Sequence, residues 1–485
     1  MKKLPNIRFT FVFIWLVLSG LSTVLAQNDQ PKNKAQEIEK VLNLFHKQGK
    51  FNGTALIVEG GKVLYKGSFG FESAHTKKAI NSRSAFYLAS VTKQFTATAI
   101  VKLQELGKLS YDHSIARYLP KLKHYQAITI RHLLQHTSGI SDYEGWYKAL
   151  YGLKQEDKNA DYAQLFEQKW KTKLLTNETI IEALRKYRPT LNFATGEKFE
   201  YSNTNYILLA SIVERASGLS FDKFLKKYLF EPAGMRNAYV YHLKMKKSPK
   251  NRVYGFKTVN GLRKANDLMF MDGVIGDGNV YGSAEDLLKW DEALYTEKII
   301  KNASKEKAFA PGILNNGQPT SYGFGWAIIK PQQKIMHLGQ WTGFQSAFER
   351  DMQKHNTIIL IDNSTSGSDF HACYGIVRAI LAGRDYKMPQ KYTEISLPVT
   401  ILQQYVGKYA ITPKMVLEIT LKDKQLYAQG SNQPKLPIYP TTKQKFFYKV
   451  ADMQISFIKN DQGKVHQMML HQQGRKIPAK RITSK

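Results

Sequence analysis

Three short patterns in the sequence contain side chains suited to acyl-transfer chemistry. The first is Ser90-Val91-Thr92-Lys93, which follows an extended apolar run and opens a predicted helix that ends at Gly107. A serine and a lysine three residues apart lie on one face of a helix, and a desolvated amine can remove the serine proton. The helix N-terminus adds backbone N–H groups where negative charge would develop. The pattern therefore identifies Ser90 as a candidate nucleophile and Lys93 as a candidate base.

The Ser-x-x-Lys pattern is weak by itself. It occurs four times, and the other copies begin at Ser220, Ser304 and Ser456. Those copies fall in a polar helix start, a charged run and a strand, whereas only Ser90 opens a long helix with an uncharged face. The ordinary alternative is that Ser90 is an N-cap serine beside a solvated lysine.

Two further patterns stand later in the chain, and each occurs once. They are Tyr201-Ser202-Asn203, after a predicted turn, and His337-Leu338-Gly339, at the predicted end of a strand and before Gln340. An adjacent ammonium lowers the pKa of a phenol, so we expect Tyr201 to act as a proton shuttle. The alternatives are a loop tyrosine that caps a backbone group and a structural histidine.

In this order, the three patterns resemble the active-site motifs of penicillin-binding proteins and class C β-lactamases. That serine β-lactamase-like family, of the peptidase S12 type, includes D-Ala-D-Ala carboxypeptidases, D-aminopeptidases and esterases. Three further stretches resemble the family as well, at residues 128–139, 231–235 and 322–326. The resemblance covers roughly residues 35–385.

The resemblance implies a double-displacement mechanism in which Ser90 attacks an acyl carbonyl. Lys93 and Tyr201 would share the proton transfers, and which of them is the base is left open. The backbone N–H groups of Ser90 and Gln340 would form the oxyanion hole, with Gly339 in the same substrate-binding strand. Asn203 would hold both Lys93 and a substrate amide.

His337 departs from the β-lactamase pattern, which has lysine at this position. That lysine helps to anchor a substrate carboxylate, and histidine is mostly neutral at pH 7. The resemblance therefore favours the peptidase and esterase branches over efficient penicillin hydrolysis.

The first 26 residues are typical of a secretory signal peptide. They combine Lys2, Lys3 and Arg8 with an apolar run over residues 9–21 and small residues before Gln27. The alternative is an uncleaved anchor, for which the run is short. Residues 27–34 are predicted to form a polar tether. We therefore expect export to the periplasm or cell envelope of a bacterium.

Charge and cysteine content narrow the classes of partner and cofactor. The net charge is +32, and it is +29 once the cations of the signal are removed. The basic residues are scattered, so an acidic cell-envelope surface is a better expected partner than nucleic acid, and a solvated basic surface is the alternative. Cys373 is the only cysteine, which excludes an intramolecular disulfide and a zinc–thiolate site. We expect it to be a small buried residue, and we expect no metal or cofactor.

The pattern of predicted elements indicates an α+β fold. An antiparallel sheet assembled from distant segments, flanked by helices and carrying a helical subdomain, is expected over residues 35–385. A linker over 386–397 would lead to a small basic all-β, barrel-like domain at 398–485. Strands are predicted there at residues 416–421, 425–428, 446–450, 454–458 and 465–471. Residues 396–485 contain 15 Lys/Arg and four Asp/Glu.

Three loops have no assigned chemistry. We interpret Gly276-Asp277-Gly278 as a tight turn before a helix capped by Ser283, and not as a phosphate loop. The loops at residues 143–151 and at Trp341-Thr342 are expected to line the substrate pocket.

These patterns predict an exported serine hydrolase that cleaves an amide or ester through a Ser90 acyl-enzyme. A D-amino-acid peptidase, carboxypeptidase or esterase fits them best, with a small peptide or ester substrate and peptidoglycan fragments among the candidates. A true β-lactamase is one alternative, and a non-catalytic wall-binding or sensor protein is another.

Overall fold

A computed structural model describes the chain over the following residues: 33–145, 175–242, 248–259, 262–267, 271–329, 334–365, 368–388, 392, 394–412, 415–430, 435–448, 453–472 and 475–482. The predicted signal peptide and most of the predicted tether lie outside these residues. Within the described ranges, no helix has both the length and the apolar character that crossing a membrane requires.

Helices and strands occur in runs along the described chain. The helices are α1 Lys34–Lys47, α2 Thr92–Glu105, α3 Ile130–Leu134, α4 Asn177–Tyr187, α5 Asn203–Ser217, α6 Phe221–Leu225, α7 Glu231–Ala233, α8 Ala284–Leu294, α9 Asn302–Ala308, α10 Ser368–Leu381 and α11 Val399–Gln403. The strands before the barrel are β1 Gly53–Glu59, β2 Lys62–Ser68, β3 Phe86–Tyr87, β4 Tyr239–Val240, β5 Phe256–Val259, β6 Leu262–Ala265, β7 Val280–Gly282, β8 Ala327–Ile329, β9 Lys334–Trp341, β10 Phe344–Asp351 and β11 Asn356–Asp362.

The main sheet joins the two ends of the hydrolase region. In the described residues its antiparallel strands run in the order β2-β1-β11-β10-β9-β8. The sequence predicts a β-hairpin over Thr54–Phe71 with Gly60-Gly61 as its turn, and the structure confirms it as β1 and β2 at the edge of the sheet. One face of the sheet is covered by α1 and α10, which pack on each other, and α1 buries Ile38, Val41, Leu42 and Phe45 as its spacing predicts. The other face carries the larger core with α2, α5 and α8. The predicted α+β class is therefore confirmed.

The helical region is built around α2 and α5, which pack against each other. Every residue of α2 from Thr92 to Val101 is buried, including Lys93 and Gln94. The sequence indicates an amphipathic helix at about residues 206–216. In the structure α5 is instead buried from Thr204 to Val213, because neighbouring helices and loops cover it.

The C-terminal region is a closed antiparallel barrel, as predicted in outline. In the described residues its strands are β12 Gly407–Thr412, β13 Met415–Lys422, β14 Gln425–Gly430, β15 Leu436–Pro440, β16 Lys445–Phe447, β17 Met453–Lys459, β18 Val465–Gln472 and β19 Arg475–Ile482. The sequence predicts that Asp461-Gln462-Gly463 closes a hairpin, and this turn joins β17 to β18, with Gly463 at a φ of 74°. The sequence prediction missed β12, β15 and β19, which complete the barrel.

Candidate active site

Ser90 lies in a short, strained turn rather than inside the α-helix. Residues Ala89–Val91 form a 3-10 turn between β3 and α2, and α2 begins at Thr92. Ala89 has a φ of 48°, in the left-handed region that costs a non-glycine residue about 1–3 kcal/mol. The surrounding β9 and β10, which both pack on the turn, hold it in place.

Gly339 allows β9 to approach this turn. A Cβ atom at position 339 would lie 2.3 Å from Ser346 Oγ and 2.4 Å from the carbonyl oxygen of Leu88. The strand continues to Trp341, so the His337-Leu338-Gly339 motif lies within β9 and not at its end as predicted. In the described residues β8 pairs with β9 only at positions 334–336. The backbone edge from Leu338 to Trp341 is therefore not covered by β8 and faces the side of the nucleophile turn.

Lys93 is fully buried, and its amine contacts three oxygens from distant parts of the chain. Lys93 Nζ lies 3.0 Å from Ser90 Oγ, 2.7 Å from Asn203 Oδ1 and 2.9 Å from the carbonyl oxygen of Asp277. The carbonyl oxygen and the amide oxygen can only accept. A neutral amine that donates its two hydrogens to them keeps its lone pair for the Ser90 hydroxyl.

The environment of Lys93 favours this neutral form. Burial lowers the pKa of Lys93 from 10.5 to about 8, although Asp277, Asp142 and Glu144 oppose the shift through their negative charge. The loss of hydration therefore outweighs the attraction of three carboxyl groups. With this pKa, about a tenth of the enzyme has an uncharged lysine at pH 7 and about half at pH 8, and a general base requires the uncharged form.

The structure corrects the expected pKa of Tyr201. Burial raises this pKa well above 10, and the hydrogen bond with Ser90 lowers it only in part. Lys93 Nζ lies over the ring of Tyr201, 5.0 Å from its centroid, so the amine contacts the π face. Although 37% of the surface of the residue remains exposed, its phenol group is enclosed by protein beside Ser90. Tyr201 is therefore protonated, and its hydroxyl lies within hydrogen-bond reach of Ser90.

Asn203 is held from two sides. Its Nδ2 donates to Glu144 Oε1 at 3.0 Å, and its backbone N–H donates to Asp142 Oδ2 at 2.7 Å. Because Nδ2 faces a carboxyl oxygen, Oδ1 is directed at Lys93. The expected contact of Asn203 with a substrate amide can use only its second Nδ2 hydrogen.

Sequence reasoning missed the buried carboxyl groups Asp142, Glu144 and Asp277. Burial raises the pKa of each, and repulsion between Asp142 and Glu144 raises that of Glu144 further. Tyr143 connects the cluster, since its hydroxyl donates to Asp277 Oδ2 at 3.0 Å. Asp277 lies in the glycine-flanked loop before the helix capped by Ser283, as predicted, and that loop also supplies the carbonyl that binds Lys93. The two glycines were the available sign that the loop approaches another element closely.

His337 is buried, and protein atoms occupy both of its ring nitrogens. Nδ1 lies 2.7 Å from the Leu338 carbonyl oxygen, so Nδ1 carries the proton, and Nε2 accepts from the Tyr322 hydroxyl at 2.9 Å. Burial, and then the charge of Lys93, lower the pKa of His337 to about 3. The third motif therefore supplies no cation, as its histidine predicts.

An aromatic cluster lines the site beside Tyr201. The ring centroid of His136 lies 4.4 Å from that of Tyr201 and 4.7 Å from that of Tyr322. Burial and then Lys93 lower the pKa of His136 well below 6.5, so this ring is neutral. Both His136 and Tyr322 lie in stretches that carried the family resemblance, but neither was predicted as a site residue.

The loop after β9 is fixed by two hydrogen bonds. Trp341 Nε1 donates to Asp272 Oδ1 at 2.8 Å, and Thr342 Oγ1 donates to the Asp267 carbonyl at 2.6 Å. Of the predicted pocket loop at 143–151, the structure describes only Tyr143–Gly145. In the described residues, no group of His, Cys, Asp and Glu side chains is arranged to hold a metal ion. Cys373 lies on α10 and is buried in the core between this helix, α1 and the sheet, as expected.

This fold and this set of motifs are those of the β-lactamase family. The family profile named Beta-lactamase matches residues 36–394, and the chain belongs to that family. It is an enzyme of the β-lactamase-related serine hydrolases. A second profile, Domain of unknown function (DUF3471), matches residues 392–481 and includes the barrel.

Within the family, the chain is a hydrolase related to penicillin-binding proteins and D-aminopeptidases. It is 32% identical over 446 residues to penicillin-binding protein 4* of Bacillus subtilis, which covers 88% of this chain and 94% of that protein. A D-aminopeptidase of Cereibacter sphaeroides is 25% identical over 353 residues, or 72% of this chain and 62% of that protein. The crystal structure of a penicillin-binding protein from Bacillus halodurans superposes with a TM-score of 0.58 at 26% identity, covering 70% of this chain and 99% of that one.

Proposed function

We propose that this chain is an exported acyl hydrolase that cleaves a D-amino-acid peptide or an ester through a Ser90 acyl-enzyme. One observation supports it above all others. The buried Lys93 amine lies 3.0 Å from Ser90 Oγ, and its other two contacts are obligate acceptors. Such an amine is placed and oriented to remove the serine proton.

In the proposed reaction, neutral Lys93 takes the proton of Ser90 as Oγ bonds to the substrate carbonyl carbon. The oxyanion accepts from the backbone N–H groups of Ser90 and Gln340, each worth about 3–4 kcal/mol in the transition state. Tyr201, protonated and hydrogen-bonded to Ser90, donates toward the leaving nitrogen or oxygen and recovers a proton from Lys93. Water then attacks the acyl-enzyme by the reverse proton path.

The uncharged His337 of the third motif affects which class of substrate the site favours. A substrate with a terminal carboxylate next to the scissile bond, such as a penicillin or a carboxypeptidase substrate, gains from a cation at position 337. His337 is uncharged, and both of its nitrogens are occupied. This favours esters, amides and aminopeptidase-type substrates. The D-aminopeptidase relative supports the same choice.

Export rests on the sequence of residues 1–26 alone. A basic start, an apolar run and small residues before Gln27 support it. Expression of the full chain in a bacterium, with fractionation and N-terminal sequencing, tests it. A new N-terminus near Gln27 outside the cytoplasm is expected, and an intact N-terminus inside the cytoplasm contradicts export.

The nucleophile is tested with Ser90→Ala against Ser220→Ala. The second variant is a matched control, because Ser220 begins another Ser-x-x-Lys pattern and makes no side-chain cap bond at the start of α6. We expect hydrolysis of p-nitrophenyl acetate and D-alanine p-nitroanilide to vanish in the first variant and to persist in the second. Equal turnover in both variants contradicts Ser90 as nucleophile.

Two alternatives have their own readouts. Hydrolysis of nitrocefin faster than of either substrate above indicates a true β-lactamase. A wild-type chain that turns over neither class of substrate, and gains no mass adduct with a penicillin or a fluorophosphonate, favours a non-catalytic wall-binding or sensor protein.

A further inference from the structure

The outer surface of β16–β19 carries cations without acidic partners. These strands contain no Asp or Glu, and Lys445, Lys476 and Lys480 are exposed on them. None of the three forms an ion pair within the part of the chain that the structure describes. By contrast, Lys408 on β12 lies 3.9 Å from Glu418 on β13. The other side of the barrel also has exposed lysines, but there Glu418 lies on β13 and Asp423 in the turn after it, so the two sides differ in their carboxylates.

Strand register places these cations on one face together with His471. Lys476 lies opposite His471, and Lys480 lies opposite Gln467 on the same side of β18. Lys445 lies opposite Ser456, whose hydroxyl is 3.0 Å from His471 Nε2. The inward positions of these strands alternate with them and hold the apolar core. We call Lys445, His471, Lys476 and Lys480 the basic face.

The spacing of the basic face suits a polymer better than a small ion. With a rise of about 3.3 Å per residue and about 4.8 Å between strands, its lysines are on the order of 13–14 Å apart. Exposed cations at that distance do not converge on one anion. A chain of repeating anions can contact them together, and the separate weak contacts then add.

Two features of the face restrict the chemistry of that polymer. The exposed cations are lysines, whose compact ammonium groups bind phosphate oxygens as point charges. The aromatic residues of these strands, Phe446, Phe447 and Phe457, are all buried. Single-stranded nucleic acids are usually held by exposed aromatic rings on which bases stack.

We propose that the basic face binds a linear phosphate polymer that carries no bases. The bound polymer would hold the hydrolase on an anionic surface without entering the Ser90 site. This inference is independent of the proposed substrate, because it involves no residue of the active site.

The test compares two triple variants of the full chain. Lys445→Glu, Lys476→Glu and Lys480→Glu alter the basic face, and Lys422→Glu, Lys424→Glu and Lys435→Glu make the same change in net charge on the β13–β15 side. Binding of fluorescently labelled long-chain inorganic polyphosphate is measured by anisotropy at several salt concentrations. We expect the first triple to weaken binding about 100-fold and the second about 10-fold or less. Melting temperature and p-nitrophenyl acetate hydrolysis report that both variants are folded.

Three outcomes would overturn the inference. Equal weakening by the two triples means that net charge, and not this face, attracts the polymer. If the wild type shows no detectable binding of polyphosphate at low salt, the basic face is not a binding site for it. Tighter binding of single-stranded DNA or polygalacturonate than of polyphosphate, at equal charge concentration, assigns the face to a different polyanion.

Discussion

The floor of the active site buries charged groups, whereas the barrel interior buries apolar and aromatic ones. Lys93, Asp277 and His337 are each less than 10% exposed. Among the described residues of the barrel, the buried side chains are apolar or aromatic, as in the stacked pair Tyr405 and Phe457. The described lysines of the barrel strands are exposed or half-buried, and the half-buried Arg481 donates to the backbone carbonyls of Val406 and Val465.

In the active site, burial changes the reactivity of charged groups, whereas in the barrel, burial of apolar side chains stabilises the fold. In the active site, loss of hydration moves the pKa of Lys93 toward neutrality and holds His337 neutral. Proteins keep such groups at a cost in stability. In the barrel, each buried aromatic side chain contributes stability and no chemistry.

The largest effect is expected when Lys93 is replaced, and a second buried lysine, Lys305, serves as the control. Lys93→Met removes the proposed base and should lower kcat/KM for an ester by roughly 10²–10⁴-fold. Lys305→Met is the matched control, because Lys305 is also buried and its Nζ binds the carbonyl oxygens of Leu294 and Thr296 at 3.1 and 2.8 Å. It should lower the melting temperature while kcat/KM stays within twofold or so. Similar losses of kcat/KM in both variants would mean that Lys93 is only structural.

The second prediction concerns the barrel core. Phe457 packs on Tyr405 with ring centroids 4.4 Å apart and is 2% exposed. Phe457→Ala should lower the free energy of unfolding of the barrel by about 3–5 kcal/mol, measured by urea denaturation. Phe457→Leu should cost less than about 2 kcal/mol, since it leaves a smaller cavity. If Phe457→Ala abolishes ester hydrolysis under conditions where circular dichroism shows a folded chain, the barrel takes part in catalysis. The distinction between a reactive active site and a purely stabilising barrel would then be wrong.

The third prediction is a pH profile. Lys93 acts as a base only when neutral, and its pKa in the folded protein is lowered to about 8. Below that value the neutral fraction falls, so kcat/KM should drop about tenfold per pH unit, and it should level off above pH 8. The profile is measured from pH 5.5 to 9.5 with an ester whose leaving group does not titrate. A plateau that extends down to pH 6 would contradict Lys93 as the base.

The parts of this molecule that were predictable from sequence are those with local patterns. Ser90 and Lys93 are one turn apart, and the helical spacing of α1 was visible in its apolar residues. The contacts of Lys93 with Asn203 and Asp277 span 110 and 184 residues, so only folding reveals them. The direction of the Tyr201 pKa was predicted wrongly, because burial, which the sequence does not give, outweighs the nearby amine.

Local sequence patterns were also insufficient to predict every strand of the barrel. The strands β15 and β19 were missed because they contain Pro437, Pro440 and Pro478, and proline usually argues against a strand. Cationic residues also interrupt the apolar alternation of β19. Closure of the barrel supplies partners on both sides, which stabilises strands that local preference alone would not predict.

The smallest effect is expected at Glu144, which belongs to the active site. Its side chain forms no hydrogen bond with Ser90 or Lys93. It acts through Asn203 Nδ2, 3.0 Å away, and through its charge, which raises the pKa of Lys93. Glu144→Gln keeps an acceptor for Asn203 and removes that charge, so the acid limb of the pH profile should move slightly to lower pH, and kcat/KM at pH 7 should rise by about twofold or less. Burial and then the charge of Asp142 raise the pKa of Glu144 to about 8, so Glu144 is mostly protonated at pH 7 and its charge acts mainly on the upper part of the limb. The shift should therefore be modest. Glu182→Gln, at an exposed carboxylate on α4, should leave the limb in place. A limb that moves to higher pH in Glu144→Gln would show that Glu144 stabilises neutral Lys93, and the electrostatic account of the active-site floor would then have the wrong sign.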